Sequence, residues 1–175
     1  KRGLKGHEDL IDAVAMIQDK YPDLHLVFIG GPWVGADKYA EEVVAYGKDK
    51  VRNVHFLGTR DNVPDLYQDF DMVVHPSHSE NLGGAAESLM LAVPTIASNV
   101  GGFPDIVIPG KTGYLVNPSE PASIAGAIEK VIAEPEIARR MAEHGRIYLR
   151  DLLDAKKTSR DVYGFHRLIK EDFEK

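Results

Sequence analysis

Apolar positions along this chain alternate between two spacings. Leu10, Val14, Ile17 and Tyr21 recur at four, three and four residues, the single stripe of an amphipathic helix, and Pro22 closes it. Leu24 to Ile29 is instead an almost continuous apolar run stopped by Gly30-Gly31-Pro32, which suits a short buried strand. Asp37 can cap a second helix carrying Tyr39, Val43 and Tyr46, and Val54 to Leu57 is a second strand ended by Gly58. The alternation then repeats. A short helix is expected around Val63 to Gln68, a strand at Met72 to His75, and a helix opened by Gly83-Gly84 that runs to Leu91. Strands follow at Pro94 to Ser98 and Gly113 to Val116. Ser119-Glu120-Pro121 start a helix with Ile124, Ile128, Val131 and Ile132 inward, and helical stretches at Ile137–Leu149 and Ser159–Phe173 finish the chain.

Short strands separated by helices predict βαβ units, hence an α/β fold with a Rossmann-like parallel sheet flanked by helices. Open sheets of this kind place ligands at the carboxyl ends of their strands. The loops after Ile29, Leu57, His75 and Ser98 are therefore the ones to inspect. The last twenty residues contain no strand and are expected to pack on a neighbour rather than on this sheet.

Composition narrows the chemistry. The 175 residues match the usual size of one compact unit, roughly 150 residues. The chain has no cysteine, which excludes a disulfide scaffold, a thiol nucleophile, a Cys-type zinc site and an iron–sulfur cluster. Its formal net charge of −6 and the lack of a basic stripe argue against nucleic acid as a partner. Lys156, Lys157, Arg160 and Arg167 are diluted by Asp154 and Asp161 and form a solvated helix face. No apolar run approaches the ~20 residues of a membrane span, and Lys1 to His7 lack the apolar core of a signal peptide.

The densest run of unusual residues is His75-Pro76-Ser77-His78-Ser79-Glu80-Asn81-Leu82-Gly83-Gly84-Ala85-Ala86-Glu87, between a strand and a helix. Two glycines at a helix start let the backbone approach a ligand, and the free N–H groups there favour an anion such as a phosphate or pyrophosphate. Glu87, expected just inside the first turn, is suited to accept hydrogen bonds from a sugar diol. The plainer alternative makes Gly83-Gly84 a turn and Glu87 a complement to the helix dipole. His75 and His78, three apart, raise the question of a metal, but one ends a strand and the other lies in a loop, so no metal site is expected. Gly30-Gly31-Pro32-Trp33-Val34-Gly35 does not match the dinucleotide fingerprint.

The segment from Glu80 to Pro94, followed by Ser98-Asn99-Val100-Gly101-Gly102-Phe103-Pro104-Asp105-Ile106-Val107 and Gly110-Lys111-Thr112-Gly113-Tyr114-Leu115-Val116, resembles the nucleotide-sugar half of a retaining glycosyltransferase of family four. The resemblance covers nearly the whole chain. It implies one half of a GT-B architecture, two Rossmann-like domains facing a cleft. It also implies hexose transfer from a nucleoside-diphosphate sugar, a UDP-sugar favoured over a GDP-sugar, to a glycan or lipid acceptor with retention of configuration. No cofactor beyond the donor substrate is implied. Residues 1–153 would be the donor-binding domain, and 154–175 a helical segment crossing toward an N-terminal GT-B domain of the same protein.

The same resemblance distributes roles. Glu87, seven residues before Pro94, takes the place of the ribose-binding acid. Glu80 takes that of the acid beside the reacting sugar, and is the catalytic candidate. The family has one more residue between its paired glutamates than the six found here, so strict counting lands on Ser79. A one-residue deletion restores Glu80, which Asn81-Leu82-Gly83 follows in the family manner. Lys5-Gly6 resembles the Lys-Gly turn whose lysine contacts the donor diphosphate. The arginine that partners it would precede Lys1, and Arg2 stands too close to replace it. Asn53 to Arg60 resembles the base-binding strand and loop, with backbone groups near Thr59 and Arg60 holding the base. Gly30-Gly31 would line the cleft floor, and Trp33 either its wall or a structural position. The expected setting is the cytoplasm, with the full-length enzyme able to associate peripherally with the inner membrane face.

Three rivals remain open from the sequence. One is a sugar-nucleotide epimerase on the same fold. Another is a non-catalytic α/β binding or receiver module, for which Asp71 and Asp105 are poorly placed phosphoacceptors. A nicotinamide dehydrogenase ranks last for want of its fingerprint.

Overall fold

A computed structural model describes residues 3–32 and 34–173, the last three without their side chains. Eight helices and five strands make up the described chain, alternating as far as α6: α1 (His7–Ile17), β1 (Leu26–Phe28), α2 (Asp37–Lys50), β2 (Val54–Phe56), α3 (Val63–Tyr67), β3 (Val73–His75), α4 (Gly83–Met90), β4 (Thr95–Ser98), α5 (Phe103–Ile106), β5 (Tyr114–Val116), α6 (Pro121–Ala133), α7 (Pro135–Leu152) and α8 (Ala155–Phe173). Each predicted strand is present, trimmed to three or four residues. Of the helices, only α5 was unforeseen, a single turn begun by Phe103-Pro104.

Every strand pair is parallel, as βαβ connections require. The ladders come in two pieces rather than one continuous sheet: β1 pairs with β2, and β4 lies between β3 and β5. The turn leading into α1 passes between the carboxyl ends of β1 and β3. The His7 ring stands edge-on to Phe28 at 5.6 Å, and the Leu4 carbonyl accepts the His78 N–H at 2.8 Å.

All four residues of β4 are buried, and around it the fold has two apolar cores. One joins Leu10, Ile11, Val14 and Ile17 of α1 to Ile96 and to Ile124, Ile128 and Val131 of α6. The other joins Ala85 and Leu89 of α4 to Ala97, Phe103, Ile106 and Leu149. Pro121 occupies the first turn of α6, where its missing N–H has no intrahelical partner to lose. Ile132, expected inward, is only partly buried. Burial in α1 extends beyond the predicted stripe to Asp9, Ile11 and Ala13, because the helix packs against both α2 and α6. Unlike every other helix, α8 leaves its apolar residues open, with Val162 51%, Tyr163 72% and Phe165 63% exposed.

Candidate functional site

The loops at the carboxyl ends of the strands form a connected row. Leaving β1, the Gly30 N–H donates to the Gly58 carbonyl at 2.9 Å, and Gly31 lies against the Thr59 hydroxyl. Next along the row is the turn at residues 3–6, followed by the loop Pro76–Leu82 after β3, and then Gly101 after β4. The predicted positions Gly30, Thr59, Arg60, Lys5, Glu80, Gly83 and Gly84 thus all lie along one rim. Thr59 and Arg60 are exposed, as a backbone-reading loop permits.

Lys5 and Glu80, 75 residues apart in sequence, form an ion pair. The Glu80 carboxylate also accepts the Asn81 N–H at 3.1 Å and faces the Ser77 hydroxyl at 3.4 Å. Burial pushes the Glu80 carboxyl upward, but Lys5 and the Asn81 N–H outweigh it, so it sits below the ordinary glutamate value and is ionised at neutral pH. Ser79, the alternative position for this acid, is exposed.

Two glycines pinch this loop from opposite sides. Gly6 holds φ of +67°, and a Cβ there would lie 2.0 Å from the Pro76 carbonyl oxygen. Gly101, at φ of +54°, would meet the Glu80 carbonyl oxygen at 1.8 Å. No other residue type fits either place without moving the loop, since both sterics and backbone conformation forbid a side chain.

The start of α4 departs from expectation in three ways. Gly84 does not simply leave room for a ligand: a Cβ there would sit 2.9 Å from the His75 ring, so the glycine admits that imidazole beneath the helix. The Gly83 N–H is not free but donates to the Asn81 side-chain oxygen at 3.1 Å. Glu87 is the fifth residue of α4, just past the first turn rather than inside it, so it does not serve the helix dipole as a first-turn acid would. It is exposed, and its charge, after burial, helps raise the pKa of the Tyr67 phenol on α3.

The two histidines diverge. His75 is bonded to the Ser88 hydroxyl at 3.3 Å, and that hydroxyl receives a bond from Thr95 at 2.9 Å. Burial holds the His75 imidazole down to about 4, with Lys5 lowering it and Glu80 opposing, so it is neutral at physiological pH. His78 instead turns its Nε2 to the Oδ2 of Asp9, a carboxylate with no exposure at all. Asp9 and the link it makes to the loop went unnoticed in the sequence, where Glu8-Asp9 looks like an ordinary acidic first turn. Trp33 and Arg2 lie outside the described residues.

Comparison with known proteins places the chain in a family. The family model "Glycosyl transferases group 1" matches residues 2–148, and the chain belongs to that family. Among curated relatives, it is 31% identical over 152 residues to spore coat protein SA of Bacillus subtilis, covering 82% of this chain and 40% of that protein. It is 32% identical over 144 residues to the D-inositol 3-phosphate glycosyltransferase of Corynebacterium diphtheriae, covering 78% of this chain and 34% of that one. The chain therefore spans well under half the length of these relatives.

Solved structures share the fold. Anabaena HepE in complex with UDP-glucose superposes with a TM-score of 0.84 at 24% identity, over 95% of this chain and 46% of that one. The C-terminal domain of LpcC, a glycosyl transferase group 1 family protein from Francisella tularensis, gives 0.73 at 28% identity, over 87% of this chain and 81% of that domain. Among the described residues, no helix is long and apolar enough to cross a membrane.

Proposed function

We propose that this chain is the donor-binding half of a retaining glycosyltransferase, acting on a nucleoside-diphosphate sugar. The observation that carries the reading is the Lys5–Glu80 pair at the carboxyl rim. An ammonium suited to a diphosphate and a carboxylate suited to sugar hydroxyls converge there beside the start of α4. The pairing of Lys5 with Glu80 rather than Ser79 supports Glu80 as the acid next to the reacting carbon. Family membership supports transferase chemistry. The likeness to the LpcC domain supports placement at the C-terminal side of a two-domain protein, and the HepE complex makes a UDP-sugar the first donor to test.

In this reading Lys5 faces the diphosphate, Glu87 holds the ribose diol, and Glu80 holds the hexose. The base lies on the backbone around Gly58 to Arg60. The bond from the anomeric carbon to the diphosphate oxygen breaks, and the acceptor oxygen bonds to that carbon from the face the diphosphate leaves. The acceptor proton passes to a diphosphate oxygen. Lys5 stabilises the charge that develops there, an effect that grows as water is excluded. A facing N-terminal domain would supply the acceptor site, with residues 154–175 crossing toward it. On that account this chain alone binds donor nucleotide but turns none over.

Calorimetry with UDP, GDP and ADP tests the reading. One of the three should bind, and Glu87→Ala should weaken it by about tenfold, the loss of roughly one charge-assisted hydrogen bond. Because Glu87 is exposed, the variant should keep its thermal midpoint. Silence from all three nucleotides, or unchanged affinity in the variant, defeats the ribose assignment. Epimerised UDP-sugar formed by the full-length protein without acceptor would favour the epimerase instead.

A further inference from the structure

Asp9 has no exposure, although it stands beside Leu10 and Ile11 in the apolar core of α1. A buried carboxylate is costly unless it is paired, and such pairs rarely add stability over a well-packed apolar residue. One partner, His78, lies 69 residues away in the loop that carries Glu80. The backbone of the same histidine donates to the Leu4 carbonyl at 2.8 Å, next to Lys5. His78 is thus tied by its side chain to the second residue past the helix start at His7, and by its main chain to the turn before it. Beside it, Gly6 abuts the Pro76 carbonyl. These ties all join the segment bearing Lys5 to the segment bearing Glu80.

We propose that Asp9 is a positioning residue, which holds the Glu80 loop against the Lys5 turn through His78 and so sets the affinity for the sugar part of the donor. This rests on the donor-site reading above, in which Glu80 faces the hexose and Lys5 the diphosphate. Loss of the Asp9–His78 link frees the loop but leaves Lys5 on its own turn and Glu87 on α4. Sugar recognition should therefore suffer while nucleotide recognition is kept. A purely structural aspartate would show no such split, since global loosening weakens both together.

Hydrogen exchange and calorimetry on the whole chain test this with Asp9→Asn, His78→Ala and the double variant. Each single change should speed exchange of the His78 and Asn81 amides about tenfold, with Ile96 and Ala97 in β4 unaltered. Each should weaken UDP-glucose binding about tenfold while UDP affinity stays within about twofold, the usual reach of a residue acting through another. The double variant should be no worse than the more damaging single one. Unchanged loop exchange, equal acceleration of the loop and β4, or additive losses in the double variant would each overturn the proposal. If Asp9→Asn fails to fold, His78→Ala, altered at a partly exposed position, carries the test alone. If the unaltered chain binds no nucleotide, the donor reading fails, while the exchange rates still decide whether Asp9 positions the loop.

Discussion

The two rims of the parallel strands differ in what holds them. At the carboxyl rim, Gly6 and Gly101 bring backbone against backbone, and the pairs Lys5–Glu80 and Asp9–His78 link the turn before α1, α1 itself and the loop after β3. At the amino rim lies a cavity of about 810 Å³, lined by residues that include Tyr21, Leu24, Met72, Ala92, Val93 and Arg139. By volume alone that cavity would be taken for the binding site. Its lysine, however, is already engaged: Lys20, largely in water, pairs with Glu129, which also faces the Tyr21 hydroxyl at 3.4 Å. The contrast teaches that a site is recognised here by glycines and charges brought together over long sequence distances, and not by the size of a hollow.

Four measurements press on that contrast. The largest effect should come from Gly6→Ala, because the new methyl meets a backbone carbonyl and not a movable side chain. A loss of roughly 2–4 kcal/mol in urea unfolding is expected, together with loss of nucleotide binding. A fully stable variant would mean the rim is less tightly built than its geometry indicates.

Next in size is a dependence on pH centred on His75. Its folded value, about 4, lies below the unfolded 6.5, so the unfolded chain binds the extra proton first. The stability from a neutral His75 is complete above about pH 7 and is lost as pH falls toward 4, by about 2–3 kcal/mol. His7, also lowered chiefly by burial, adds in the same direction. Unfolding at pH 7 and pH 5 should show the loss, and His75→Gln should flatten it. An equal slope in that variant would place the titration elsewhere.

At the amino rim the effects should be smaller and silent toward ligand. Ala92, which follows α4, is held at φ of +55°, a conformation suited to glycine. Ala92→Gly should therefore stabilise the fold by about 0.5–1 kcal/mol and leave nucleotide affinity alone. Least of all should follow from Lys20→Ala, which breaks a solvent-exposed ion pair beside the cavity. Neither the urea midpoint nor nucleotide affinity should move. A fall in affinity in either variant would bring the amino rim into the binding function.

Much of the fold was legible from local patterning. The apolar runs of β1 to β5 and the stripes of α1 and α6 announce themselves because strand and helix periods differ, and Gly58, Pro22 and Pro121 mark their ends. Lys5, Gly83 and Glu87 could be picked out because each lies in a short recognisable motif. What escaped notice has a common cause. α5 is four residues long, too short for any period to show. The division of the ladder into two pieces is set by which strands pair, which no local pattern records. At Gly84 a glycine opening a helix suggests backbone access, but its nearest constraint is a histidine nine residues earlier.

Local patterning predicts every strand, every helix but α5 and the parallel α/β class, and short motifs mark the candidate acids and lysine. The elements and the class follow from residue type and spacing, whereas Lys5 and Glu80 stand out through the family resemblance; both kinds of signal are carried by a few neighbouring residues. Packing, in contrast, is what brings Lys5 to Glu80 and a buried Asp9 to His78. Those outcomes depend on packing between segments some seventy residues apart, where a carbonyl of one touches the Cα of another. One-dimensional spacing carries no record of that proximity, because burial and close approach arise only when the helices close over the strands.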